Sequence, residues 1–240
     1  MIELKNTDKS FDNVIKVLDN VSFAVQKNSI TGYLGPNGAG KSTTIKLLLG
    51  LIEVDNGEAM INGVNLYEDS DLSIQIRKSV GCMLEYDTLY PSLTAKENIK
   101  YWGQLYGLNI NETEIKAENL LKKMKLKNIS VSKYSNGMKK RLSFAKSIIH
   151  DPEVLILDEP TSGVDFESRL IIREIIKELH EKGSTIFLSS HDLEEVRKIC
   201  TDIIIINQGQ IQVQGKLNDI MQNNENYNNI EDIYTSVITE

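Results

Sequence analysis

The chain of 240 residues sets 27 Lys and Arg against 34 Asp and Glu, a formal net charge of −7, which argues against nucleic acid as a partner because such surfaces are clustered and basic. Its length suits one large domain, or one domain with a subdomain, with ample buried core. Cys82 and Cys200 lack metal-ligand spacing and a disulfide framework, no apolar run reaches the roughly 18–20 residues of a membrane span, and the first 20 residues mix Glu, Lys and Asp unlike a secretory leader, so the expectation is a soluble chain in a reducing cytoplasm whose membrane role, if any, comes through a partner.

In chain order, Val21 to Val25 alternates with period two, as a half-buried strand does. Ser29 to Leu34 reads as a short buried strand. It runs into Gly35-Pro36-Asn37-Gly38-Ala39-Gly40-Lys41-Ser42, which fits G-x-x-x-x-G-K-[ST], and Thr43 to Leu49 then opens a helix. Ala59-Met60-Ile61 followed by Asn62-Gly63 is a hairpin signal. From about Tyr90 the period becomes helical. Thr94-Ala95-Lys96-Glu97 is a capping box for a helix ending at Gly107, and Glu112 to Met124 is a second helical pattern. Ser135 caps a third, from about Gly137 to Ile149.

Val154 to Leu157 is a continuous apolar run, typical of a strand covered on both faces. An amphipathic helix from Glu167 to Lys182 stops at Gly183, and Thr185 to Leu188 is the next strand. Ile203 to Ile206 and Ile211 to Val213 flank the turn Asn207-Gln208-Gly209-Gln210. Beyond Asn218 the chain is rich in Asn and Glu, with a helical pattern near Ile230 to Val237; a disordered tail and a docking helix both fit residues 218–240. Strands alternating with helices predict a mostly parallel sheet covered on both faces, with the glycine-rich loop at a carboxyl strand end, where such folds bind ligands. The expected division is an α/β body at 1–87 and 151–217, a helical insert at 88–150, and the tail.

The chemistry follows from residue types. Glycines in Gly35–Ser42 let successive backbone N–H groups turn inward at a di- or triphosphate, and the helix N-terminus adds partial positive charge. Lys41 would reach the β- and γ-phosphates and the Ser42 hydroxyl would ligate Mg²⁺. Asp158, ending the apolar strand, is placed to hold Mg²⁺ through water, and Glu159 to accept a proton from an attacking water. Ser135 and the amides after it form a second anion site at a helix N-terminus, weak as an isolated string.

The ordered set Gly35–Ser42, Glu85, Ser135-Asn136-Gly137-Met138, Asp158-Glu159, Ser162-Gly163-Val164-Asp165 and His191 resembles the ATP-binding subunits of ABC transporters over roughly Ile2 to Leu217. The resemblance implies a RecA-like P-loop core with an N-terminal antiparallel β-subdomain and an inserted helical subdomain. It implies ATP and Mg²⁺ as cofactors, with Gly35, Pro36, Asn37, Gly38, Ala39, Gly40, Lys41, Ser42 and Thr43 around the nucleotide, and Phe11 stacked on the adenine. Ser135 and Gly137 become the signature motif that binds the γ-phosphate of another subunit, Asp165 a dimer-interface residue, and His191 a switch histidine on the γ-phosphate side, while Glu159 is the base. Metal contacts fall to Ser42, Asp158 and Glu85.

Two departures from the family pattern stand out. Tyr134-Ser135-Asn136-Gly137-Met138 replaces the usual Leu-Ser-Gly-Gly-Gln but keeps the Ser and the second Gly. Glu85 stands where Gln is usual, which adds a negative charge near the metal and removes two N–H donors. That Glu, with Leu89 to Asn98, resembles the ATPases of bacitracin-resistance and lantibiotic-immunity exporters. The expected partners are therefore a second copy or homologous ATPase and integral-membrane permease subunits contacted by the helical subdomain, with the chain peripheral on the inner face of the membrane. The rival reading is a non-transport cytosolic ABC ATPase, such as an iron–sulfur assembly factor. A plain phosphotransferase would not explain Ser135 and His191 together.

Overall fold

The computed structural model describes residues 1–12, 15–68, 70–86, 88–223, 227 and 229–238. At the N-terminus β1 (Ile2–Phe11) and β2 (Ile15–Val25) pair antiparallel with irregular register. Buried Ile2 and Leu4 alternate with more exposed neighbours, as do Leu18, Val21, Phe23 and Val25, so one face of this ribbon belongs to the core. The next strand, β3 (Ile30–Leu34), is buried at all five positions and belongs to a different sheet. It delivers the chain through the glycine-rich loop to α1 (Lys41–Leu48). The chain then returns to the first sheet as β4 (Asn56–Ile61) and β5 (Val64–Asn65), giving the antiparallel order β2-β1-β4-β5.

A helix α2 (Asp71–Ser79), capped by Ser70, leads into β6 (Val80–Met83). The helical insert follows as α3 (Ala95–Leu105), α4 (Ile110–Lys123) and α5 (Asn136–Ser147). The Thr94–Glu97 capping box is present in both directions. Asn109 caps α4, which therefore starts two residues before Glu112. The Ser135 hydroxyl accepts from the Met138 N–H and starts α5 at Asn136.

The remaining elements are β7 (Val154–Asp158), α6 (Phe166–Glu181), β8 (Thr185–Ser190), α7 (Leu193–Ile199), β9 (Asp202–Asn207), β10 (Gln210–Lys216), α8 (Leu217–Gln222) and α9 (Ile230–Ile238). The larger sheet has the order β10-β9-β3-β8-β7-β6, parallel except for the edge strand β10. Its strands are covered on both sides. Val154 and Ile156 of β7 face the β1–β2 ribbon and α1, while Leu155 and Leu157 face the helical side. On the ribbon side the rings of Phe23 and Phe187 stack at 5.7 Å, with Tyr33 tilted against both.

Strands β1 and β6 and helices α2, α7 and α8 go beyond the elements read from the sequence. Residues 218–240 hold the end of α8 and all of α9, and Ile230 and Ile233 of α9 are fully buried in the helical-side core. Residues 224–226, 228, 239 and 240 of that segment, and the boundary residue Asp87, lie outside the described residues. Among the described residues no helix is long and apolar enough to cross a membrane.

Candidate functional site

The loop after β3 wraps the N-terminus of α1. Gly40 sits at φ 108°, and a Cβ there would come within 2.6 Å of Leu18 Cδ2, so this turn against β2 needs glycine. Lys41 folds back so that its ammonium donates to the carbonyl oxygens of Gly35 (2.7 Å) and Pro36 (3.0 Å). Burial lowers the Lys41 pKa, and the charges of Glu159, Asp158 and Glu85 push the other way.

Strand register brings the second part of the site alongside. Asp158 at the end of β7 pairs with Ser189 of β8. The Ser189 hydroxyl donates to Asp158 Oδ1 at 2.6 Å and accepts from the Glu159 N–H at 2.9 Å. Glu159 itself has φ 50°, a left-handed conformation uncommon for a side-chain-bearing residue, which turns the chain sharply off the strand. Its Oε2 meets His191 Nδ1 at 2.9 Å. Two residues 32 apart in sequence thus form one acid–base pair, because β7 and β8 are adjacent.

These groups surround one cavity of about 640 Å³, lined by Val17, Gly35 to Gly38, Gly40 to Thr43, Glu85, Asp158, Glu159, Ser162, His191 and Tyr234. Most expected site residues are therefore gathered. Ala39 is buried beneath the loop, its carbonyl accepting from the Gly209 N–H at 3.2 Å. The oxygen donors Ser42, Asp158 and Glu85 fit the hard-ligand preference of Mg²⁺. Glu85, Asp158 and Glu159 set three carboxylates against the Lys41 ammonium, so a divalent cation would ease the entry of a triphosphate.

Ser135, Gly137 and Asp165 stand apart from this cavity. Asp165 caps α6, accepting from the Ser168 N–H (2.9 Å) and hydroxyl (2.8 Å), which hold its carboxyl below the usual range. Gly137 lies directly against it: a Cβ there would sit 2.2 Å from Asp165 Oδ2. A smaller hollow lined by Glu85, Asn136, Lys140 and Ser162 to Val164 separates them from the P-loop.

Phe11 is not brought in. It pairs with Ile15 where β1 turns into β2, is 41% exposed, and lies 5.7 Å from the Lys9 ammonium. Val17, two residues inside β2, lines the cavity itself. Sequence reasoning missed Ser189, although a polar residue beside Asp158 follows from pairing the two predicted strands. It also missed Tyr234, for which no motif exists.

Beside this site lies a second, apolar groove of about 250 Å³. Leu48, Leu49, Leu51, Leu66, Leu84, Trp102 and Tyr106 line it, with Cys82, Arg77 and Lys146 among them. The Lys146 ammonium sits 4.4 Å from the Trp102 ring centroid.

Comparison with known proteins agrees with this geometry. The family model described as "ABC transporter" matches residues 18–162. The chain is 34% identical to the ABC transporter ATP-binding protein NatA of Bacillus subtilis (strain 168), covering 92% of both chains. It is 36% identical to the linearmycin resistance ATP-binding protein LnrL of the same organism, over 92% of this chain and 70% of that one. A solved ATP-binding subunit of an ABC transporter superposes with a TM-score of 0.89 at 29% identity, covering 98% of both chains. The dimeric post-hydrolysis structure of the ATP-binding cassette MJ0796 bound to ADP and Pi gives 0.82 at 26% identity, over 90% of this chain and 99% of that one. The chain belongs to the ABC transporter family as one of its ATP-binding subunits, and is an ATPase of that class.

Proposed function

We propose that the chain is the ATP-hydrolysing motor of an exporter, working as a nucleotide-dependent pair with itself or a homologue and driving a separate membrane permease. The observation that carries this reading is the Glu159–His191 contact beside Lys41 and Asp158. In it, Lys41 exchanges its carbonyl partners for phosphate oxygens, and the loop amides take the remaining phosphate charge. Ser42, Asp158 and Glu85 would hold Mg²⁺, which would supply electrostatic stabilisation of the transferring phosphoryl group. Glu159 accepts the proton of the attacking water, and His191 holds that carboxylate in place.

Ser135 and Gly137 lie apart from their own chain's cavity, which supports a role across a dimer, as does the dimeric state of the MJ0796 cassette. ATP closes the pair and hydrolysis reopens it, the work coming from the difference in affinity between the two states. The apolar groove beside the cavity supports a permease partner over a free cytosolic role, because a helix of such a partner would cover Leu51 and its neighbours. In this reading the chain is cytoplasmic and held at the inner membrane face by that contact. For cargo we infer an antimicrobial peptide of the bacitracin or lantibiotic kind, on Glu85 and the Leu89–Asn98 segment, with the resistance name of LnrL in support. Removing the gene should then sensitise the cell to such peptides; unchanged tolerance rejects that cargo.

The test of the motor is Glu159→Gln. Phosphate release should fall about 10²–10⁴-fold while ATP still binds, and the chain should elute as a dimer with ATP. A monomer with near-normal turnover overturns the reading.

A further inference from the structure

His191 sits on a very short connection. Strand β8 ends at Ser190 and α7 begins at Leu193, so His191 and Asp192 alone join them. Where the imidazole stands therefore depends on what fixes Asp192. Its Oδ1 accepts from the Glu195 N–H at 3.1 Å as the cap of α7, and its own N–H donates to Ser190 Oγ at 3.0 Å. Both bonds are local. Among the described residues, the one hydrogen bond that reaches Asp192 from another element comes from Arg169 of α6, whose Nη1 donates to Asp192 Oδ2 at 2.9 Å.

Arg169 lies one turn after Asp165, its N–H donating to the Asp165 carbonyl at 3.1 Å. Asp165 caps α6 and has Gly137 against its carboxylate. The neighbouring Glu195 is 3% exposed, and a buried carboxylate needs a partner. Arg173 supplies it as a fork, with Nε donating to Oε2 at 3.3 Å and Nη2 to Oε1. Arg169 Nη1 stands farther from that carboxylate, at 3.6 Å, and makes its hydrogen bond to Asp192 instead. The structural demand of the core and the fixing of Asp192 thus fall on different arginines.

We propose that Arg169 is a positioning residue for hydrolysis: by holding Asp192 it sets the His191 imidazole against Glu159, and it ties that pair to the helix that begins at Asp165. This deepens the ATPase reading and rests on it. Neither Arg169 nor Asp192 lines the nucleotide cavity, so the effect falls on turnover and not on binding.

The experiment uses the full chain with Mg-ATP. Arg169→Met keeps the stem and removes the charge. Its kcat should fall about ten-fold, within the roughly 10²-fold that about 1 Å of misplacement can cost, while KM stays within about two-fold of wild type. Arg169→Lys should recover most of that loss, because the contact is a single bond that an ammonium can replace. Asp192→Ser keeps a cap for α7 but drops the oxygen that faces Arg169. It should lose turnover as Arg169→Met does, and the double variant should lose no more than either single. A second readout needs no turnover. The imidazole resonance of His191, assigned by its disappearance in His191→Gln, should move in Arg169→Met and return toward wild type in Arg169→Lys. Wild-type kcat in Arg169→Met, losses that multiply in the double variant, or an unmoved His191 resonance would each overturn the proposal. The ATPase reading stands or falls separately, on whether the wild type releases phosphate from ATP and Lys41→Ala does not.

Discussion

The two hollows on this molecule are built by opposite means. The nucleotide cavity is polar and assembled at the carboxyl ends of parallel strands, where β3, β7 and β8 deliver Lys41, Asp158, Glu159 and His191 from short, rigid elements. The apolar groove is assembled from side chains spread between Leu48 and Ser147, none chemically special. Yet the two share a segment. From Val80 to Thr88 the chain presents Val80, Cys82, Leu84 and Thr88 to the groove and Glu85 to the cavity. If chemistry sits in the one and the permease contact in the other, as proposed, perturbations should separate them.

The largest separation is expected at Ser189, whose hydroxyl supports both Asp158 and the Glu159 backbone. Ser189→Ala leaves the Glu159 N–H unpaired and frees an Asp158 oxygen to rotate away. Hydrolysis should fall about 10–100-fold, the usual cost of losing a group that orients a metal-binding carboxylate. The melting temperature should also drop, since an unsatisfied buried donor costs about 1–3 kcal/mol. Recruitment to membranes should not change. Turnover equal to wild type would mean that the Asp158 carboxylate is positioned without Ser189.

Much of the cavity was legible in the sequence for a physical reason. Phosphate binding needs glycines, a lysine and a hydroxyl at fixed spacing, and a metal-binding strand end needs a carboxylate after an apolar run. Thr94 and Ser135 announced their helices because capping is local, confined to three residues. The contacts between Glu159 and His191 and between Asp158 and Ser189 depend on which strands are neighbours, which local patterns do not carry. Phe11 stands where the resemblance puts it, at the end of β1 with its ring partly exposed, and no local pattern says what that ring meets. Tyr234 was invisible because a lone tyrosine on a nine-residue helix follows no pattern; only the burial of Ile230 and Ile233 puts it where it is. The groove left no trace either, since apolar residues at its positions read as ordinary core.

The middle-sized effect belongs to that groove. Leu51 lines it and is 57% exposed, so a carboxylate there disturbs little of the fold but meets any apolar partner with an unpaired charge. Leu51→Asp should keep hydrolysis by the isolated chain within about two-fold, as surface substitutions do. In its native cell the variant should move from the membrane pellet to the supernatant. Retention at the membrane would show that the groove is not the permease contact and would undo the division between the two hollows.

The smallest effect is a slope rather than a loss. His150 stacks on Tyr106, a groove residue, with ring centroids 3.6 Å apart. Burial pushes its pKa down to about 4, from the 6.5 of a free imidazole. Between those values the unfolded chain binds a proton that the folded chain refuses. Stability contributed by the neutral ring is therefore full above about pH 6.5 and is lost as the pH falls toward 4. His150→Phe keeps a flat ring on Tyr106 and removes the proton site. Thermal melts across this window should show a shallower decline for the variant, while its hydrolysis at neutral pH matches wild type, because the ring stacks on Tyr106 and is not among the residues that line the cavity. If the variant and wild type fall in parallel with acid, the ring is solvated through the groove, and that groove is open enough to admit water to its floor.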